Sequence, residues 1–208
     1  SSNLNSNVLK VLIAGCGTGS QILNSQRYKN AQIKAIDLSS ASLAYAQRKI
    51  NEISVQNVEL IQLDILEIDL LKEQFNIIEC SGVLHHMANP IKGLNVLCDV
   101  LQPNGFLKLG LYSQIARKDI IQAKKHILKK KLQPTHTDIQ LFREDVMSGN
   151  FPEIEIIQKR SSFYSTSECR DLCFHAKEHR FTIKQLLETL KYNQLKFLGF
   201  SLPQQVKS

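Results

Sequence analysis

VLKVLIAGCGTGSQ, residues 8–21, is the stretch on which the fold turns. The apolar run at residues 8–14 predicts a buried strand. It breaks at Gly15, Cys16, Gly17, Thr18 and Gly19, and a helix-compatible segment starts at Ser20. Strand, glycine turn and helix in succession is how α/β proteins hold a nucleotide-like ligand. Without Cβ atoms the glycines let the backbone turn sharply and approach a ligand closely. The helix that follows offers free N–H groups at its start.

Spacing narrows the reading. A dinucleotide fingerprint runs G-x-G-x-x-G, whereas here the third glycine comes one residue early and position 20 is Ser20. The G-x-G-x-G form resembles the first motif of class I S-adenosylmethionine (SAM) methyltransferases. In that family the loop wraps the amino-acid end of SAM, which carries no phosphate.

A chain of 208 residues is expected to form one domain, with room for a large insertion. Its apolar share of 43% and charged share of 22% are those of a globular protein. No apolar stretch approaches the roughly 20 residues that a membrane span needs. Residues 1–7 are polar and uncharged, unlike a signal peptide. Five cysteines, an odd number without framework spacing, suggest free thiols in a reducing, cytoplasmic setting. The first residue is Ser rather than Met, so the chain is expected to belong to a longer one. The net charge of +7 is concentrated in one place. Residues 117–131 hold seven Lys/Arg against one acid, Asp119, while the rest of the chain has 19 basic and 18 acidic residues.

Further strands are expected at residues 33–36, 58–63, 75–80 and 106–112, with a turn at Gln102, Pro103, Asn104 and Gly105. Helices are expected from Ser39 or Ser40 to about Glu52 and from Pro90 onward. Strands alternating with helices in this way give an α/β fold with a doubly wound, mostly parallel sheet. Asp37 closes the second strand, 18 residues after Gly19. A carboxylate there can accept from two ribose hydroxyls, in a SAM site or an NAD site alike.

VLIAGCGTG, AIDLS, LIQLDIL, ECSGVLHHM-NP and LQPNGFLKLGLYS follow one another in this sequence. In order and spacing they resemble the class I, Rossmann-like SAM-dependent methyltransferases over residues 8–112, with a further match at 181–200. The LHHM-NP and L-PNG elements are similar to the branch that includes small-molecule enzymes. DLCFHAKEHRFT resembles a bacterial methyltransferase domain found behind tetratricopeptide repeats.

The resemblance implies roles for particular residues. Gly15, Cys16, Gly17, Thr18 and Gly19 would border the methionine part of SAM. Asp37 would take the ribose hydroxyls and Leu38 would lie against the adenine. Asp64 would accept from the adenine amino group, with Ile65 beside the ring, and Ser81 would face the methionine end. The family usually carries an acid two residues before the first glycine; here that residue is Ile13. An Asn/Asp-Pro-Pro-Tyr/Phe run, typical of enzymes acting on base amino groups, is absent after the fourth strand, and Cys80 is not in the Pro-Cys setting of a 5-methylpyrimidine enzyme.

The segment 113–180 reads as a substrate-side insertion or lid within the one domain. It would begin with a helix at 114–132, whose stripe is Ile120, Ala123 and Ile127. A short helix at 138–147 and a loop from Phe151 and Pro152 would follow. Phe163, Tyr164 and Ser165 suit a pocket lining. The lysines of 117–131 are either a solvated face or a landing surface for an acidic partner. Aromatics are not interleaved with them, so single-strand stacking is not signalled, and nucleic acid is left open as a partner. Cys169, Cys173, His175 and His179 would not converge on one helix, so no metal site is assigned. A last helix after Thr182 and a sixth strand at 195–202 complete the expected sheet, with the family's seventh strand missing.

Candidate catalytic groups are His85 and His86 after the fourth strand, Tyr112 at the end of the fifth, and His175 and His179 in the insertion. The leading reading is methyl transfer from SAM to a small-molecule or peptide-linked acceptor, leaving S-adenosylhomocysteine. A partner-binding domain on the same fold, without catalysis, is the alternative, and an NAD-dependent oxidoreductase is third.

Overall fold

The structure, a computed structural model, describes residues 8–174 and 178–201. They divide into two compact units, one running to Leu111 and resuming at Ile183, the other Tyr112–Thr182.

The first unit is built on five parallel strands: β1 (Leu9–Ala14), β2 (Ala31–Asp37), β3 (Val58–Gln62), β4 (Phe75–Ser81) and β5 (Leu101–Gly110), in the order β3-β2-β1-β4-β5. Parallel neighbours need crossover connections, supplied here by α1 (Ser20–Ser25), α2 (Ser40–Glu52), a 3-10 helix at Ile65–Leu71 and α3 (Pro90–Asp99). Ser39 caps α2 by accepting from the Ser42 N–H, and Asn89 caps α3 ahead of Pro90. Alternate residues of each strand face opposite layers. Leu12, Ala14, Ile36 and Ile78 pack with Leu94 and Leu97 of α3. Val11, Ile13, Ile33 and Ala35 pack with Ile22 of α1 and Leu43, Ala46 and Ile50 of α2. Burial on both faces is why β1 is apolar from Val11 to Ala14. The strand order reverses between β1 and β4, which makes their carboxyl ends the switch point where such sheets bind ligands.

Two details differ from expectation. β5 begins at Leu101 and absorbs the residues assigned to a turn. The turn survives as a bulge: the register jumps from Phe75 opposite Leu101 to Ile77 opposite Phe106, and Asn104 takes φ 64°. Residues 195–201 form no strand, and Phe197, Leu198 and Phe200 stay exposed after α8 (Ile183–Tyr192). Leu202 lies outside the described residues. An apolar run becomes a strand only where a neighbour pairs with it, and no described strand takes the outer edge of β5.

The second unit is helical, with α4 (Lys118–Lys129), α5 (His136–Met147), α6 (Pro152–Glu155) and α7 (Thr166–Cys169), the last running into a π-helical turn at Arg170–Phe174. Residues 152–155, expected as loop, are helical because Pro152 takes a first-turn position where its missing N–H costs nothing. Ile120, Ala123 and Ile127 face the core against Ile139, Phe142 and Phe163. Phe163, expected to line a pocket, is therefore fully enclosed. Ser113 bridges Phe181, joining the two ends of the unit.

Arg117, Lys124 and Lys130 of the cationic segment find acidic partners inside this unit. Arg117 donates to both oxygens of Glu178 at 2.7 and 2.8 Å, and Lys124 adds a contact at 3.1 Å. Lys130 and His126 meet Asp145, and Arg160 clamps Asp119 at 2.6 and 2.9 Å. Burial favours the neutral form of Glu178, but the hydrogen bonds from Arg117 and Lys124 outweigh it and hold the carboxyl below its usual range.

Glu178→Gln strands a buried guanidinium without its charge partner, a loss of about 3 kcal/mol or more. A carboxyl depressed in the fold stabilises fully above the unfolded value of about 4.3, and that stabilisation fades as pH falls through the folded value. Thermal melting followed from pH 6 downward is expected to fall more steeply for the wild type than for Glu178→Gln. Parallel curves would contradict this role for the pair.

Candidate active site

The site is assembled from the ends of β1, β2, β3 and β4. Past Ala14 the backbone turns back, with the Gly15 and Cys16 N–H groups both donating to the Ile36 carbonyl at 2.9 Å. Gly15 holds φ 78° and Gly17 φ 52°, a left-handed region that costs other residues strain. The two differ in surroundings. A Cβ on Gly15 would stand 2.1 Å from Val83 Cγ2, while one on Gly17 would meet nothing within 4 Å. Gly15 is a packing contact with the segment after β4, and Gly17 borders open space.

Asp37 ties this loop to β2. Its Oδ2 accepts from the Gly17 N–H at 2.8 Å and its Oδ1 from the Ser39 N–H at 2.9 Å. Each oxygen keeps a further lone pair, so a ligand diol can still be received. Leu38, next along, is 65% exposed, an apolar side chain standing in solvent at the strand end. Asp64 uses Oδ1 to cap the Ile65–Leu71 turn through the Leu66 N–H at 2.9 Å. Ile65, next in sequence, is buried in the core with Ile36 and Leu97.

Ser81 is exposed at the end of β4, and its carbonyl accepts from Gln21 Nε2 at 3.0 Å. Its hydroxyl occupies the space that a Cβ on Gly110 would need. Thr18 is exposed. Cys16 is buried, and its contribution to the loop is through the backbone; burial and the Asp37 charge push its thiol up to about 12. Burial likewise pushes Cys80 up to about 12, which removes it as a thiolate nucleophile.

The described catalytic candidates belong to different units. His85 and His86 lie in the 3-10 turn Leu84–His86, edge-to-face at 4.3 Å. His85 is enclosed in the interior and His86 half-buried. Tyr112 belongs to the second unit, where the Arg117 guanidinium lies 3.7 Å from its ring centre. His179 is exposed in that unit, and His175 lies outside the described residues. Cys169 and Cys173 share a hydrogen bond in the second unit's core. No metal-holding group of His, Cys, Asp or Glu occurs among the described residues.

Two residues were missed in the sequence. Glu79 is a buried acid on β4, paired in register with Ile13 and held by Arg27 and Tyr28. An acid inside an otherwise apolar strand could have marked it. Gln21 follows the loop by two residues; its Nε2 is anchored on Ser81, while its Oε1 is buried with no partner among the described residues. Nothing in a lone glutamine after a glycine loop signals this.

The methyltransferase-domain family matches residues 5–191, and the chain belongs to it. The fold is that of class I methyltransferases: PKMT2 from Rickettsia typhi, solved in complex with AdoHcy, superposes with a TM-score of 0.77 at 23% identity, covering 96% of this chain and 43% of that one. An uncharacterised Synechococcus protein is 30% identical over 201 residues, covering 92% of this chain and 48% of its own length. The mitochondrial ubiquinone biosynthesis O-methyltransferase of Schizosaccharomyces pombe is 27% identical over 177 residues, covering 84% of this chain and 61% of its own. The chain thus spans about half the length of the relatives it matches. No described helix is long and apolar enough to cross a membrane.

Gly17→Ala is expected to lose only the left-handed backbone cost, about 1–2 kcal/mol. Gly15→Ala adds a collision with Val83 and should melt at a clearly lower temperature. Val83→Ala in the Gly15→Ala background should recover part of the difference. Equal melting of the two single variants would show that Gly15 does not pack as described.

Proposed function

We propose that this chain binds SAM across the carboxyl ends of β3, β2, β1 and β4 and catalyses transfer of its methyl group to an acceptor, leaving S-adenosylhomocysteine. The observation that carries the reading is Asp37, which fixes the glycine loop while keeping lone pairs for a ribose diol. Four strand ends span about 14 Å at ordinary strand spacing, room for an extended nucleoside with an amino-acid tail. Asp37 accepts from the ribose hydroxyls, Leu38 covers one face of the adenine, and Asp64 Oδ2 accepts from the adenine amino group. The open side of Gly17 and the end of β4 at Ser81 receive the methionine part. The match to methyltransferase relatives supports the same assignment.

SAM supplies a methyl made electrophilic by its sulfonium. The protein's part is to hold an acceptor in line with that methyl. A base is needed only where the acceptor begins protonated. His86, half-buried after β4, fits that task better than His85, which the core encloses. We assign acceptor choice, a small molecule or a peptide-linked group, to the segment 113–180. Its exposed lysines at 118, 125, 129 and 131 suit an acidic partner. Five free cysteines support a cytoplasmic setting. The second reading, a partner-binding domain without turnover, is favoured by Ile13, buried and apolar where the resembling enzymes carry an acid.

Isothermal titration with SAM, S-adenosylhomocysteine and NAD tests the assignment. Binding of the first two, weakened roughly tenfold or more in Asp37→Asn, with NAD silent, is the expected result. NAD binding, or affinity for SAM indifferent to Asp37, would overturn it. Turnover with a methylated product traced by mass separates the enzyme from the partner-binding domain.

A further inference from the structure

The end of the site at β4 offers few acceptors for a positively charged group. Ile13, on the strand between the ribose end and β4, is buried and apolar. Glu79, opposite it in register, is enclosed, and its carboxylate is committed to Arg27, Tyr28 and Lys108. The Ser81 carbonyl already accepts from Gln21. Beside the Ser81 hydroxyl, the other half of the same side chain offers an acceptor. Gln21 Nε2 bonds to the Ser81 carbonyl at 3.0 Å, which fixes the amide orientation and identifies Oε1 as the acceptor left over. That oxygen is buried without a partner among the described residues. Leaving a buried acceptor unsatisfied is costly, and such an atom in a folded protein calls for a missing donor.

We propose that Gln21 is the side-chain acceptor for the α-ammonium of the bound SAM methionine, held in place by its bond to Ser81. This rests on the SAM reading given above and deepens it. With the ribose fixed on Asp37 at the end of β2, the methionine extends past β1 toward β4, and Gln21 stands at that end of the path. An amide oxygen accepts from an ammonium without placing a second charge beside the apolar Ile13. Oε1 is shielded in the free chain, so this role requires the side chain to turn about its bond to the Ser81 carbonyl far enough to present that oxygen to the ammonium. Gln21 is thus a binding and positioning residue that takes no part in bond making.

The test compares two ligands on the whole chain: S-adenosylhomocysteine and 5′-methylthioadenosine, which keeps the adenosine and thioether but has no ammonium. In Gln21→Ala, affinity for S-adenosylhomocysteine is expected to drop about tenfold or more, while affinity for 5′-methylthioadenosine stays within twofold of the wild type. Gln21→Glu should restore binding of the first ligand only. An equal loss for both ligands, or no loss for either, would overturn the assignment to the ammonium. Failure of both ligands to bind the wild type would instead sink the SAM reading itself, and retained 5′-methylthioadenosine binding shows that each variant is folded.

Discussion

The carboxylate of Asp37 is the point on which the candidate site depends. Twenty residues separate it from Gly17, and the 2.8 Å bond between them joins the loop after β1 to the end of β2. A loop with three left-handed glycines has many conformations open to it, and bonds to Ile36 and Asp37 help select one. The Ile36 carbonyl holds the first turn through two N–H groups, and Asp37 holds the second. The Ser39 N–H holds the other carboxylate oxygen, so the acid itself is fixed before any ligand arrives. Preorganisation of this kind lowers the ordering cost of binding.

The sheet explains why so few polar groups reach the site. Both faces of β1 are buried, so its side chains are spent on packing, and only the backbone past Ala14 is available to a ligand. The proposed recognition of SAM therefore falls to residues at strand ends: Asp37, Leu38, Asp64 and Ser81. Glu79 shows the cost of placing an acid one layer deeper. It is buried beside Ile13 and surrounded by Arg27, Tyr28 and Lys108, so its charge is used within the first unit. In the second unit, Glu178 pairs with Arg117 and Lys124, and Asp145 with His126 and Lys130, all from the cationic run.

What the sequence conveyed and what it did not divide along a physical line. The strands β1 to β4, the cap at Ser39 and the helix from Pro90 are local patterns of polarity and backbone preference, legible in one chain. Asp37 and the glycine loop were legible because their spacing is itself the geometry. The run at 195–201 has the composition of a strand but lacks a described partner, and pairing is a property of two segments. The orientation of Gln21 depends on a carbonyl sixty residues away and has no sequence signature.

The central claim is that Asp37 and the glycine loop form one cradle for an adenosine-containing ligand. Amide hydrogen exchange of the whole chain, with and without S-adenosylhomocysteine, tests it most directly. The account predicts slowed exchange at residues 15–19, 37–39 and 81–82 on addition of the ligand, with NAD leaving those amides unchanged. Protection that spares the loop and Asp37, or that NAD produces equally, would contradict it.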